Sequence, residues 1–237
     1  MVVNEAPERV IFVGDLHGNI DALHKVMTQF PDHHWVFTGD LVDDFVRTRK
    51  EQLECVATML GNIAEMFARC VWGNHDLQYV EPMHRCAGYG PEMEVLLKDY
   101  TGLMQKFFDD FIYYKDINLL VTHAGLCKYL YDHHGREDVE RLLKDWTERP
   151  NYQSPLHWVG RMRGGIDTVG GIYWCDWYRE FTPIPGLKQI FGHTPCRTQK
   201  IETIGENWNL DCLHFNEVVL EMVVDKGVPT FNEIFLA

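Results

Sequence analysis

The 237-residue sequence has few basic residues, no long apolar run and no paired cysteine spacing. Lys and Arg number 22 against 35 Asp and Glu, a net charge of -13. A surface of that sign repels a phosphate backbone unless basic groups cluster or bound cations invert the local field, so nonspecific nucleic-acid binding and a nucleic-acid duplex partner are excluded. The seven cysteines, Cys55, Cys70, Cys86, Cys127, Cys175, Cys196 and Cys212, are odd in number and scattered, and none stands in a C-x-x-C pair. That pattern excludes a disulfide framework and a zinc finger, and it points to a reducing cytoplasm. None of the cysteines sits in a reactive motif, so all are read as structural. No apolar stretch reaches the length of a bilayer span and no targeting segment opens the chain, so the expectation is a soluble cytoplasmic protein with no membrane partner. Internal repeats, low-complexity tracts and linkers are likewise missing. With 46% hydrophobic residues, the chain is read as one domain over 1–237.

What is present is a strand–loop–helix unit that recurs. Val10 to Val13 is a short apolar run ending at Gly14-Asp15, and Asn19 precedes Ile20, Leu23, Val26, Met27 and Phe30 at helical spacing. Trp35 to Thr38 ends at Gly39-Asp40 before a helical pattern through Leu53, Val56, Leu60, Ile63 and Phe67, and Cys70 to Trp72 ends at Gly73-Asn74. This alternation predicts an α/β fold with largely parallel pairing and functional residues in the loops beyond the carboxyl ends of the strands. A helix is expected from Glu92 to about Phe108. Strands follow at Phe111 to Tyr114, Ile117 to Thr122 and Leu187 to Phe191, with β-hairpins from Lys200 to Val224. Residues 150–185, rich in Gly, Pro, Trp and Arg, show no sustained period and are read as an ordered irregular insertion on the substrate side.

Five strand ends carry metal-capable side chains: Asp15 with His17, Asp40, Asn74 with His75, His123, and His193. Any one of them reads equally as a turn residue or a helix cap. Five in succession, each in a Gly-flanked turn, do not. Carboxylate, imidazole and amide ligands suit borderline divalent ions such as manganese, iron or zinc, and this many ligands requires two ions. Asp40 is placed to bridge a site on Asp15 and His17 with another on Asn74, His123 and His193. Two cations about 3.5–4 Å apart can hold a water as hydroxide and clamp both oxygens of an in-line displacement at phosphorus.

Gly14-Asp15-Leu16-His17-Gly18, Gly39-Asp40-Leu41-Val42-Asp43, Gly73-Asn74-His75-Asp76, His123-Ala124-Gly125 and Gly192-His193-Thr194-Pro195 resemble, in order, the signature blocks of calcineurin-like metallophosphoesterases. The resemblance is to the phosphoprotein phosphatase branch, with its bacterial and phage members and the related diadenosine tetraphosphate hydrolases. It implies a four-layer fold in which two mixed β-sheets form a sandwich flanked by helices, with a bimetal site at one edge. It makes Asp15 and His17 ligands of one metal, Asp40 the bridge, and Asn74, His123 and His193 ligands of the other, with manganese the implied ion. It makes His75 the proton donor to the leaving oxygen and Asp43 the acid that orients it, which agrees with the chemistry of an alkoxide leaving group. The implied partner is a phosphorylated substrate, either a phosphoprotein or a nucleotide. One position departs from the pattern: the arginine that follows the matching aspartate in that branch is here Asp44. Arg47, Arg49, Arg161 and Arg163 are candidates to compensate, Arg161 and Arg163 first because their Gly-rich surroundings permit close approach to a ligand.

The block from Gly170 to Trp177 is similar to a Trp-x-Asp block near the substrate groove of the same branch. His24, His33, His34, His84, His133, His134, His157 and His214 have no comparable setting and are read as surface or packing residues. Three functions follow in order: a metal-dependent phosphomonoesterase, a diadenosine polyphosphate pyrophosphohydrolase, and a metal-binding scaffold without catalysis.

Overall fold

The structure is a computed structural model that describes residues 1–65, 67–81, 85–134 and 138–237. His84 lies outside them. Two six-stranded mixed sheets pack face to face with helices outside, the sandwich that the motifs imply. In the first sheet, β2 (Arg9–Val13), β3 (His34–Phe37), β4 (Ala68–Val71) and β5 (Phe108–Asp109) run parallel. It is completed by β11 (Val218–Asp225), antiparallel to both β2 and β12 (Val228–Phe235). The second sheet contains β1 (Val2–Val3), β6 (Ile112–Tyr114), β7 (Leu119–Val121), β8 (Lys188–Phe191), β10 (Asn207–Asn209) and β9 (Glu202–Thr203), in that spatial order. Within it β7, β8 and β10 are parallel.

Strand periodicity divides the core. On β2, Val10 and Phe12 face the other sheet and meet Ile112, Val121, Ile190 and Leu220. Ile11 and Val13 turn the opposite way, into the layer covered by α1 (Ile20–Gln29) and α2 (Arg49–Ala64). Both faces are covered, which is why these strands read as unbroken apolar runs. The helices begin where their caps place them. The Asn19 side chain accepts the Ala22 N–H, and Thr48 and Glu51 form a reciprocal capping box at the start of α2.

The pattern misleads at several places, the short helix Lys128–His133 and the strand β1 among them. The helix expected from Glu92 to Phe108 is two, Pro91–Leu97 and Thr101–Phe107, because Asp99, Thr101 and Gly102 are poor helix formers gathered in one turn. Phe108 already belongs to β5. A helix at Val139–Thr147 was not foreseen, although Asp138 caps it and Leu142, Leu143 and Trp146 form its buried stripe. Nor was β12, an edge strand with exposed residues at most positions, reached through a tight turn at Lys226-Gly227, both with positive φ. Residues 150–185 contain short 3₁₀ turns and an isolated bridge between Gly160 and Asp167. No helix among the described residues is long and apolar enough to cross a membrane.

Phe12 is fully buried between the sheets, so Phe12→Ala leaves a void there. Equilibrium denaturation should show a loss of about 3–5 kcal/mol.

Candidate metal centre

The carboxyl ends of β2, β3 and β4 in one sheet and of β7 and β8 in the other meet at one edge of the sandwich. The loops there are laced by their backbones: the His17 N–H donates to the Asp40 carbonyl at 2.8 Å and that of Gly18 to Leu41 at 2.7 Å. Asp15 ties the sheets together, its carboxylate accepting from the Thr38 hydroxyl at 3.0 Å and the His193 backbone N–H at 2.9 Å. Gly192 is required beside it, since a Cβ there would lie 2.0 Å from Asp15 Oδ1. Gly73 answers to the same constraint, 2.1 Å from Asp40 Oδ1.

Asp40 stands at the crossing point. Its Oδ1 accepts the His75 backbone N–H at 2.9 Å, while Oδ2 lies 3.7 Å from His17 Nε2 and 3.3 Å from His123 Nε2. Two groups of ligand atoms share it: Asp15, His17 and Asp40, and Asp40, His123 and His193. Asn74 joins the second group, its Oδ1 being 2.9 Å from His123 Nε2 and 2.8 Å from His193 Nδ1, which are 3.0 Å from each other. Two of the other imidazole nitrogens are spoken for, with His17 Nδ1 at 2.7 Å from the Val42 carbonyl and His123 Nδ1 at 2.8 Å from that of Thr38, while His193 Nε2 is buried without a hydrogen-bond partner among the described residues. Those carbonyls draw the Nδ1 protons of His17 and His123 and turn the Nε2 atoms of both rings inward.

These donors fit a cation. Burial would lower His123, but Asp40 and Asp15 outweigh it and raise the imidazole to about 9, so without a cation a proton on Nε2 faces Asn74 Oδ1 at 2.9 Å. A divalent ion would take that proton's place, leaving the Nδ1 proton on the Thr38 carbonyl. The carboxyls carry the same message. Burial and the neighbouring Asp211 hold Asp15 well above the usual carboxylate range. Burial, with Asp40 next, pushes both Asp76 and Asp211 up to about 7. Burial would raise Asp40 too, but His123, His75 and His17 outweigh it and hold that carboxyl low. Burial pushes His17 down to about 4 and, with His123 beside it, His193 well below its ordinary value, so both are neutral and ready to ligate. Carboxylates crowded in a dry pocket call for positive charge.

His75 is outside the ligand clusters. Its Nδ1 lies 3.1 Å from Asp43 Oδ2, leaving Nε2 for the cavity, and its ring stands edge-on to His17 at 5.1 Å. Burial opposes a charge on His75, but Asp40 and the hydrogen bond to Asp43 overcome it and raise the imidazole well above its usual range. Asp43 is itself clamped. Tyr79 donates to its Oδ1 at 2.5 Å, Gln78 donates to Oδ2, and its own N–H donates to Gln52 Oε1 at 2.9 Å.

A cavity of about 1020 Å³ opens onto these groups. Of the two leading arginine candidates, Arg163 lines it and is held by Thr194 Oγ1 at 2.6 Å and Asp176 Oδ2 at 3.3 Å, whereas Arg161 is exposed and lies outside the lining. Arg47 pairs with Asp44 at 3.4 Å, and Arg49 leans on Gln52 at 3.5 Å. In the Trp-x-Asp block, Tyr173 and Trp177 are buried in the core and Trp174 reaches the cavity. All seven cysteines are free.

Sequence reasoning missed Asp211, which is buried against the carboxylate cluster. Its signal was available, a polar residue just past the β10 strand end, as at the candidate ligand positions. It also set His157 and His214 aside as surface or packing residues, yet both line the cavity. His214 is tilted against the His17 ring at 5.2 Å and lies 3.9 Å from Asp44. Nothing in their local sequence distinguishes them.

The model of a family described as calcineurin-like phosphoesterase matches residues 8–197. No curated protein matches the chain significantly. Among solved structures, a putative diadenosine tetraphosphatase aligns at 16% identity and TM-score 0.51 over 100% of this chain and 98% of its own. A protein serine/threonine phosphatase from Saccharomyces cerevisiae aligns at 16% identity and TM-score 0.59, over 100% and 82%. A metallophosphoesterase from Sphaerobacter thermophilus aligns at 13% identity and TM-score 0.52, over 98% and 90%. At these identities the likeness is one of fold.

Because Asp40 is common to both clusters, Asp40→Asn should weaken metal occupancy at both. Mass spectrometry of metal-loaded protein should find fewer than one ion per chain in place of two, and unchanged stoichiometry would remove Asp40 from the bridge.

Proposed function

This chain belongs to the calcineurin-like phosphoesterase family, and from that premise we propose that it hydrolyses phosphomonoesters at the Asp40 centre, using two divalent ions, manganese first, with His75 as general acid. The observation that carries the reading is the juxtaposition of a six-residue ligand set with a separate imidazole–carboxylate pair, His75 and Asp43, at 3.1 Å. Ions held by Asp15, His17, Asp40, Asn74, His123 and His193 would supply Lewis acidity toward the phosphoryl oxygens and activate water.

The protein's own groups do the rest. Asp43, fixed by Gln78 and Tyr79, orients the His75 ring and keeps a proton on Nδ1. In its protonated form His75 then offers the Nε2 proton to the leaving oxygen across the cavity. Arg163 stands where it can orient phosphate oxygens, its guanidinium anchored by Thr194 and Asp176. Asp44 does not oppose it. Its Oδ1 accepts the N–H groups of Val46 and Arg47 at 2.6 and 2.5 Å and its Oδ2 faces Arg47, so the carboxylate in the arginine's place is absorbed by a turn.

A second reading, cleavage of diadenosine polyphosphates, is favoured by a cavity larger than a phosphate needs and lined by Tyr152, Trp158 and Trp174. Relative turnover of a phosphopeptide and a dinucleoside polyphosphate separates the two. The intact His75–Asp43 pair weighs against a scaffold that only binds metal.

Manganese-loaded protein should cleave p-nitrophenyl phosphate and lose that activity to a chelator; inertness toward a broad panel of phosphate esters would refute the reading. His75→Ala should keep both metals and slow turnover of alkyl phosphates by about 10²–10⁴. The loss should shrink for p-nitrophenyl phosphate, whose leaving group needs no proton, and an equal loss for both would remove the acid role.

A further inference from the structure

The cavity is lined in part by exposed apolar side chains. Phe45, Tyr152 and Ile166 all line it, yet they are 82%, 73% and 90% exposed, and the half-buried Trp158 stands with them. Single exposed apolar side chains are ordinary on a protein surface. Three bare ones around one cavity whose floor is a buried ligand cluster are not, because they keep apolar area in water that a ligand would cover.

Both loops that present them are tied by their own hydrogen bonds. The Asp44 turn described above holds Phe45 outward. Ile166 rides on the 159–167 loop, where the Arg161 N–H donates to Asp167 O at 3.1 Å, the Asp167 N–H to Val159 O at 3.2 Å, and the Val159 N–H to Asp167 Oδ2 at 3.1 Å. Gly164, at φ 84°, provides the left-handed turn just before it. These bonds also satisfy one carboxylate oxygen each of the lining acids Asp44 and Asp167. The exposed Arg85 and the half-buried Arg163 add positive charge to the lining.

We propose that Phe45, Tyr152, Trp158 and Ile166 form a specificity subsite for the apolar body of the leaving group. The preferred substrate is then an amphiphilic small phosphomonoester, its phosphate at the Asp40 centre and its hydrocarbon or aryl portion in the mouth. The subsite deepens the phosphomonoesterase reading and rests on it. Each methylene buried there contributes up to about 0.8 kcal/mol, a factor of about 4.

Alkylphosphonic acids from methyl to octyl, titrated calorimetrically into manganese-loaded protein below their aggregation limit, test the subsite without turnover. Affinity should rise by about 2- to 4-fold per methylene over the first several carbons. The double variant Phe45→Ser, Ile166→Ser should reduce that gain to under about 1.5-fold while keeping the thermal midpoint, since both side chains are mostly in water. Phe235→Ser, 58% exposed on β12, is the control that keeps the full slope. Affinity independent of chain length in the wild type, or a slope untouched by the double variant, would overturn the subsite. Kinetics with the matching alkyl phosphates separates the two ideas. Chain-dependent binding without hydrolysis upholds the subsite and sinks the catalytic reading, whereas hydrolysis with flat binding and flat kcat/KM sinks the subsite alone.

Discussion

The structure turns on a buried carboxylate, Asp40, that faces imidazoles from both sheets. Its Oδ2 lies within 3.7 Å of His17 and 3.3 Å of His123, and Asp15, Asp76 and Asp211 are buried in the same region. So many acids without water are tolerated only where hydrogen bonds and positive charge meet them. Backbone N–H groups meet part of the demand: His193 bonds Asp15, His75 bonds Asp40, and Leu41 and Gly73 bond Asp76. Divalent ions, which the family implies, would meet the remainder.

Holding this cluster strains the main chain. His17, Asp40, Asp43 and His193 all have positive φ, between 42° and 71°, and each such residue costs about 1–3 kcal/mol. The strain at these four residues lies in strand-end loops and is offset by the layers behind them, where the apolar residues of β2, β3 and β4 are buried on both faces. Glycines at 73 and 192 let the loops approach closely enough for the backbone to contact carboxylates.

In the proposed reading, chemistry and selectivity are divided along the cavity. The candidate ligands in its lining descend from strand ends and are held by neighbours in the core, whereas Phe45, Tyr152 and Ile166 stand exposed on loops. A sheet edge that positions charged groups and loops that meet the organic part of a ligand can thus vary independently. Asp44 shows the coupling between them: the acid that replaces an expected arginine caps the turn that displays Phe45.

The candidate ligand set stands out as a pattern because its members follow short apolar runs in Gly-flanked turns, and a strand end is a local property. The sandwich followed from the same motifs through family resemblance. Local pattern also located most strands and the first two helices, failing where helix formers were interrupted at Asp99 to Gly102 and where the edge strand β12 lacked a buried face. What the chain order did not contain is which distant residues share the cavity. Arg163 lines it and Arg161 does not, though only Met162 separates them, because a 3₁₀ turn sends their side chains apart. Asp211 and His214 enter from beyond β10 only because that strand pairs with β8 and so ends beside His193. Strand termini are written in short stretches of sequence, but sheet pairing and loop direction arise from contacts between segments far apart in the chain, and those alone settle which groups meet.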